Sequence, residues 1–352
     1  MTNIAKHDKN LAVESSIQRE GLCFYDAEQT PFQIYGVFKE NGLFRRMPEA
    51  IANKISEGIS SHNTRSAGGR VRFVTNSPYV AIKTEYIPYK TLCHMAVTGS
   101  AGFDLYAEYD DRVWYKGTFI PPYDVEDGYE SVLDLGAEAL RIITINFPLY
   151  SSVKKLYIGV KEGSVLEAAP GYRIEKPVVY YGSSITQGGC ASKPGSTYQS
   201  ILSFRYNCDY INLGFNGNAR GEEEMADYIK SLDMSAFVLD YDYNAPTPEH
   251  LQATHSRMYE IVREAHPKLP IIILEKPRLA ATLPEAGIRR NAIIKATYLK
   301  ARERGDNVYF ISGDELMALV GDNGTVDNAH PTDSGFYSMA MAISKVFEKI
   351  FE

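Results

Sequence analysis

The sequence predicts an α/β chain in two parts: an N-terminal antiparallel β-sandwich, jelly-roll-like, over 1–173 and a C-terminal three-layer α/β/α domain with a parallel sheet over 174–352. Three observations carry this reading. The first half alternates short runs rich in β-branched and aromatic residues with Gly, Pro, Asn and Asp turns. The second half changes period and interleaves continuous apolar runs with long amphipathic stretches. Pro170 and Gly171 fall where the change occurs, which sets the boundary near 171–176.

In the first half the strand candidates are 31–36 (PFQIYG), 70–75 (RVRFVT), 79–86 (YVAIKTEY), 103–109 (FDLYAEY), 140–148 (LRIITINFP) and 154–160 (KKLYIGV). Each combines strand-favouring residues with turn signals at its ends, as an antiparallel sandwich requires. One short helix is expected around 48–56. Trp114, the single tryptophan, is expected to anchor the sandwich core, and the tyrosines, spread over both halves, read as core and strand residues.

In the second half the buried-type strands are 177–182, 209–214, 236–241, 270–274 and 307–312. Helices are expected at 197–206, 221–233, 248–264, 284–304 and 333–349. The helix at 221–233 carries its acids in the first turn, where the helix dipole favours them. Strand and helix in strict alternation imply a parallel sheet covered on both faces.

The length of 352 residues suits two domains, and 44% apolar with 23% charged residues is ordinary for a globular chain. A net charge of −7 argues against a nucleic-acid backbone or an anionic membrane as the main partner. The pairs Arg45-Arg46, Lys154-Lys155 and Arg289-Arg290 read as solvated faces. The first residues, MTNIAKHDKNLAVESS, lack the apolar core of a signal peptide, and no apolar run reaches the length of a membrane span, so a cytoplasmic location is expected. The four cysteines show neither a CxxC pair nor zinc-site spacing and are expected as reduced, mostly buried thiols.

Four segments carry chemistry. Gly182-Ser183-Ser184-Ile185-Thr186-Gln187-Gly188 follows the first strand of the parallel sheet, where ligands of such sheets bind. A serine at that rim, near a helix N-terminus, has the placing of a nucleophile, and its own N–H points into the same space as part of an oxyanion site. Asp327-Asn328-Ala329-His330-Pro331 precedes the last helix. Pro331 keeps His330 out of helical geometry, and an acid close in the chain holds a histidine base in one tautomer. Asn212-Leu213-Gly214-Phe215-Asn216-Gly217 follows the second strand, and Gly217 lets a backbone N–H approach a substrate oxygen because no Cβ intervenes. Asp240-Tyr241-Asp242-Tyr243-Asn244-Ala245 follows the third strand, and the Asn244 amide offers a further donor. Any one of these is more simply a turn or helix cap. Together, at successive points on one rim, they form a nucleophile, a base with its acid, and an oxyanion hole.

On these residues the segment 177–352 resembles the SGNH hydrolases, also called GDSL-like esterases. Ser184 matches the serine of the first block, Gly217 the glycine of the second, Asn244 the asparagine of the third, and His330 the histidine of the last, with Asp327 three residues before it. Gly102-Phe103-Asp104-Leu105-Tyr106 resembles the β-sandwich domain that precedes the hydrolase in a two-domain subgroup. Two positions depart from the pattern: Ser183 stands where an Asp usually precedes the nucleophile, and the usual Gly-x-Asn-Asp is replaced by Asp242-Tyr243-Asn244-Ala245.

The resemblance implies a flavodoxin-like catalytic fold and a serine esterase for short acyl groups, first of all a carbohydrate O-acetylesterase acting on acetylated oligosaccharides. It implies no metal or organic cofactor. The expected partner is a small-molecule or oligosaccharide ester, with neither nucleic acid nor membrane, and a homo-oligomer is compatible with the sequence. Two alternatives stand beside this: an acyltransferase or esterase for a non-carbohydrate small molecule, and a carbohydrate-binding sandwich attached to an inactive hydrolase fold.

Overall fold

The computed structural model describes residues 15–88 and 92–352. They form two compact units. One comprises the described residues up to Arg45 together with Thr64–Gly171 and Lys193–Gly195. The other comprises Arg46–Asn63, Tyr172–Ser192 and Ser196–Glu352.

The first unit is built from antiparallel sheets. A four-stranded sheet is ordered Leu22–Asp26, Ser152–Lys161, Tyr79–Ile87, Gly128–Asp134. A six-stranded sheet runs Leu166–Glu167, Arg70–Thr75, Arg141–Asn146, Phe103–Tyr109, Arg112–Phe119, with Gln33–Tyr35 also paired to Arg70–Thr75. Alternate residues of the central strands point inward: Val71, Phe73, Ile143, Ile145, Phe103 and Leu105 from the larger sheet share a buried cluster with Val80, Ile82, Leu156 and Ile158 from the smaller. Burial of each such side chain contributes roughly 1.5–3 kcal/mol.

The GFDLY run lies in this unit. Asp104 is fully buried and accepts from Asn146 Nδ2 (2.8 Å) and from the Gly195 backbone N–H (2.7 Å). Burial pushes its carboxyl up to about 6, against the hydrogen bond from Asn146 and the nearby Lys193 charge. Lys193 Nζ donates to the Tyr106 hydroxyl at 2.9 Å. The motif thus holds Lys193–Gly195 within the sandwich unit.

Trp114 is not the core anchor expected of it. It lies on Arg112–Phe119, at the edge of its sheet, opposite Ala107, and is 40% exposed. An edge strand has a neighbour on one side only, and the indole instead stacks on Tyr109 at 5.9 Å with Arg112 approaching its ring.

The second unit is a five-stranded parallel sheet. Along the chain its strands are Ile174–Gly182, Cys208–Gly214, Ala236–Asp240, Ile271–Leu274 and Val308–Ile311. In space the second strand comes first, then the first, third, fourth and fifth. That is the flavodoxin-like order, whose switch point lies between the first and third strands. Val178–Tyr181 and the whole of Ala236–Asp240 and Ile271–Leu274 are buried, which explains their unbroken apolar runs. The long helices are Tyr198–Tyr206, Glu223–Lys230, Pro248–Ala265, Glu285–Glu303 and Asp333–Phe351. Thr197, Thr247 and Thr332 cap three of them by accepting backbone N–H bonds, worth about 1 kcal/mol each. No helix among the described residues is long and apolar enough to cross a membrane.

Two sequence expectations are corrected here. A division at 173/174 leaves residues 46–63 with the sandwich. In the structure Glu49–Ile55 and Glu57–Asn63 are both helical and belong to the parallel-sheet unit. Met47, Ala52 and Ile59 bury themselves in the same cluster as Phe215, Ala219, Met225 and Ala226. The basic pairs are not uniformly solvated either. Lys154 and Lys155 are exposed, but Arg45 and Arg46 are buried. Arg46 donates to the carbonyls of Asn212, Gly214 and His62 and lies over the Phe215 ring at 4.4 Å. It ties off the carboxyl end of the second strand.

Candidate active site

The register of the sheet brings the site residues to one level. Gly182, closing the first strand, pairs with Gly214 on one side and with Asp240 on the other. The loops that follow carry Ser184, Gly217 and Asn244 within a few residues of those pairs, so all three leave from the same rim.

Ser184 opens the one-turn helix Ser184–Gln187, capped by Ser183, whose Oγ accepts from the Ile185 N–H at 3.2 Å. Where the family pattern carries Asp, Ser183 thus serves as the cap. The Ser184 side chain is almost wholly buried, and its Oγ lies 2.9 Å from His330 Nε2. His330 Nδ1 lies 2.8 Å from Asp327 Oδ2. The other Asp327 oxygen accepts from the backbone N–H groups of His330 (2.8 Å) and Ala329 (3.1 Å). Asn328 sits between them at φ +63°, and the Val326 N–H donates to His330 O at 2.8 Å. Acid and base are therefore fixed in one tight turn. Burial pushes the Asp327 carboxyl up, but the bonds from the His330 backbone and ring, with the imidazole charge, outweigh it and hold the group below its ordinary value.

The second loop rests against the nucleophile helix. A Cβ on Gly214 would lie 2.1 Å from the Gln187 nitrogen, so only glycine fits this approach. The Asn216 N–H donates to Gln187 Oε1 at 3.0 Å. Gly217 has φ +72°, a conformation glycine adopts without penalty, and the direction in which a Cβ would point is open. The third loop joins the second through Asn244, whose Oδ1 accepts from the Ala219 N–H at 3.4 Å. With its oxygen so engaged, Asn244 presents its NH₂ as a donor.

Sequence reasoning missed the polar layer beneath the nucleophile. Thr186 O accepts from Gln199 Nε2 and from Asn212 Nδ2, each at 2.7 Å, and Asn212 Oδ1 accepts from the Gly214 N–H at 2.9 Å. Asp240 Oδ2 accepts from Thr186 Oγ1 (2.8 Å) and from the Tyr198 hydroxyl (3.0 Å). Burial pushes the Asp240 carboxyl up to about 7; its two hydrogen bonds oppose that and the nearby Asp242 adds to it. A carboxylate closing an otherwise apolar strand, AFVLD, was the available signal. Cys190 lies close by, and its thiol is pushed up to about 12 by burial and by Asp327, so it stays neutral.

The arrangement holds a hydroxyl on an imidazole, an acid on the far ring nitrogen, and neutral donors on two adjoining loops. That is the equipment of acyl transfer through a serine.

Known proteins share both the sequence pattern and the fold. Residues 175–348 match the GDSL-like lipase/acylhydrolase family, and residues 22–166 match the family described as the N-terminus of SGNH-hydrolase-type esterases. A crystal structure of a GDSL-like lipase candidate from Bacteroides ovatus is 28% identical, with a TM-score of 0.83 over 94% of this chain and 98% of that one. The salicylyl-acyltransferase SsfX3 from a tetracycline biosynthetic pathway is 18% identical, with a TM-score of 0.76 over 94% and 98%. A family two carbohydrate esterase from Cellvibrio japonicus is 11% identical, with a TM-score of 0.59 over the same shares. The last two likenesses are of fold. No curated protein matches the chain.

Proposed function

The chain belongs to the GDSL-like lipase/acylhydrolase family and is an ester hydrolase, and we propose that it releases short acyl groups, with O-acetyl groups of oligosaccharides as its substrates. The observation that carries the mechanism is the 2.9 Å approach of Ser184 Oγ to His330 Nε2, with Asp327 on the opposite ring nitrogen.

Ser184 Oγ attacks the ester carbonyl while His330 Nε2 takes its proton. Asp327 holds the ring in the tautomer that leaves Nε2 free to accept, and stabilises the imidazolium once formed. The carbonyl oxygen becomes an oxyanion bound by the N–H groups of Ser184 and Gly217 and by the Asn244 amide. His330 returns the proton to the departing sugar hydroxyl. Water then attacks the acyl-serine with His330 again as base, releasing acetate and restoring Ser184.

The carbohydrate side of the reading is supported by the likeness to the family two carbohydrate esterase, which extends over both units of the chain. The test is acetate release from a panel of acetylated mannan, acetylated xylan and acetylated monosaccharides, with Ser184→Ala as control. Release that depends on Ser184 and favours the oligosaccharides supports the proposal; turnover of non-carbohydrate esters alone removes it. The likeness to a salicylyl-acyltransferase favours transfer as the second reading. An alcohol acceptor that outcompetes water in product analysis would select it.

A further inference from the structure

The turn that carries Asn244 has lost the family's usual Gly-x-Asn-Asp ends, and a distant side chain grips the ends that replace them. Arg290 stands on the helix Glu285–Glu303. Its Nη1 donates to Asp242 O (2.9 Å) and Asp242 Oδ1 (3.2 Å), and its Nη2 donates to Ala245 O (2.7 Å). Asp242 and Ala245 are the residues at the two ends, and the Ala245 N–H closes the turn onto Asp242 O at 3.0 Å. The Arg290 side chain is 14% exposed and that of Asp242 4%. Water is thus largely excluded from the pair, and the charge-assisted bonds are correspondingly strong. Asn244 lies inside the bracket, its Oδ1 held by the Ala219 N–H.

We propose that Arg290 is a positioning residue for ester hydrolysis: by clamping Asp242 and Ala245 it fixes the Asn244 amide where the oxyanion forms. This rests on the reading of Asn244 as an oxyanion donor. Arg290 touches no reacting atom, so its influence passes through Asn244. A planar guanidinium spans two carbonyls and a carboxylate at once; a lysine ammonium keeps the charge but not the fork. Arg289, one residue earlier, supplies the contrast. Its partner is Glu249 at 2.6 Å, with both side chains more than half exposed, and it makes no contact with the turn among the hydrogen bonds described.

The experiment is a kinetic cycle on p-nitrophenyl acetate with Arg290→Lys, Asn244→Ala and the double variant, with Arg289→Lys as control and thermal melting of each to establish folding. Removing the side chain altogether, as in Arg290→Met, leaves Asp242 buried without its partner and invites unfolding, which is why the lysine variant leads. A small displacement of a catalytic group costs up to about 100-fold. Arg290→Lys is therefore expected to lower kcat about 10- to 100-fold with KM unchanged, since an oxyanion contact acts in the transition state. In the Asn244→Ala background the same change is expected to cost less than about 2-fold, because the donor it positions is gone. Arg289→Lys is expected to match wild type. Wild-type kcat in Arg290→Lys, or an equal loss with and without Asn244, overturns the inference. Wild-type turnover by Asn244→Ala beside an inactive Ser184→Ala overturns the donor assignment, and this inference with it, while leaving the serine mechanism standing.

Discussion

A serine hydroxyl is a weak nucleophile at neutral pH, and in the proposed mechanism Ser184 is activated by His330, whose Nε2 lies 2.9 Å from its Oγ. The energetic weight of each neighbour follows from what it touches. On that mechanism Asn244→Ala removes one oxyanion donor and is expected to lower kcat on the order of 10²–10³-fold, about 3 kcal/mol, in steady-state assays of a chromogenic ester. Asp327→Ala removes the acid that sets the imidazole tautomer and is expected to cost on the order of 10⁴-fold, less than loss of the nucleophile. Asp240 gives a pH signature of its own. Its folded carboxyl titrates at about 7 against an ordinary value of 3.8. Between those values the folded protein holds a proton that the unfolded chain has lost, so this group's contribution to stability falls as pH rises through that window. Asp240→Asn removes the titration. The Tm of wild type relative to the variant is therefore expected to drop between about pH 4 and 7; a difference constant with pH would contradict the assignment. Ser184, Gly217 and Asn244 stood out in the sequence because each follows a strand of the parallel sheet, and Asp327 and His330 because they sit together just before the last helix. Asp240, Asn212 and Arg290 did not, because hydrogen bonds from a side chain to partners distant in the chain leave no periodic trace in the sequence.

Elements were legible to the degree that their burial is simple. Val178–Tyr181, Ala236–Asp240 and Ile271–Leu274 are buried throughout and stood out as runs, and three of the five long helices begin after a capping threonine. The strands Leu22–Asp26, Arg112–Phe119 and Gly128–Asp134 were passed over. All three lie at sheet edges and none shows a clean buried-exposed alternation. The helix Glu57–Asn63 was also missed: its EGISSHN holds glycine, two serines and an asparagine, all weak helix formers. Tertiary burial of Ile59 and the Asn63 bonds to Arg46 and Met47 hold it in place. Arg46 was read as surface because nothing local shows that a guanidinium will cap a strand more than 160 residues away. Arg46→Met leaves the Asn212, Gly214 and His62 carbonyls without this donor. It is expected to destabilise the parallel-sheet unit by about 3 kcal/mol or more in denaturant unfolding; an unchanged midpoint would show that the cap contributes nothing.

At the scale of the molecule, the chain does not divide once. Residues 46–63 leave the sandwich unit to complete the parallel-sheet unit, and Lys193–Gly195 do the reverse. A change of sequence period marks where the grammar of a chain shifts, but it cannot register a short insertion of one unit's chain into the other. The consequence is testable: a fragment beginning at residue 172 lacks Met47, Ala52 and Ile59 and exposes their partners in the core. It is expected to aggregate or to melt well below the full chain, and a fragment with full-length Tm and activity would contradict this. The claim on which the rest depends is that one serine carries the ester chemistry. Its most direct test is the turnover of p-nitrophenyl acetate by folded Ser184→Ala beside wild type. A loss on the order of 10⁶-fold in kcat is expected, and hydrolysis at the wild-type rate would contradict the mechanism.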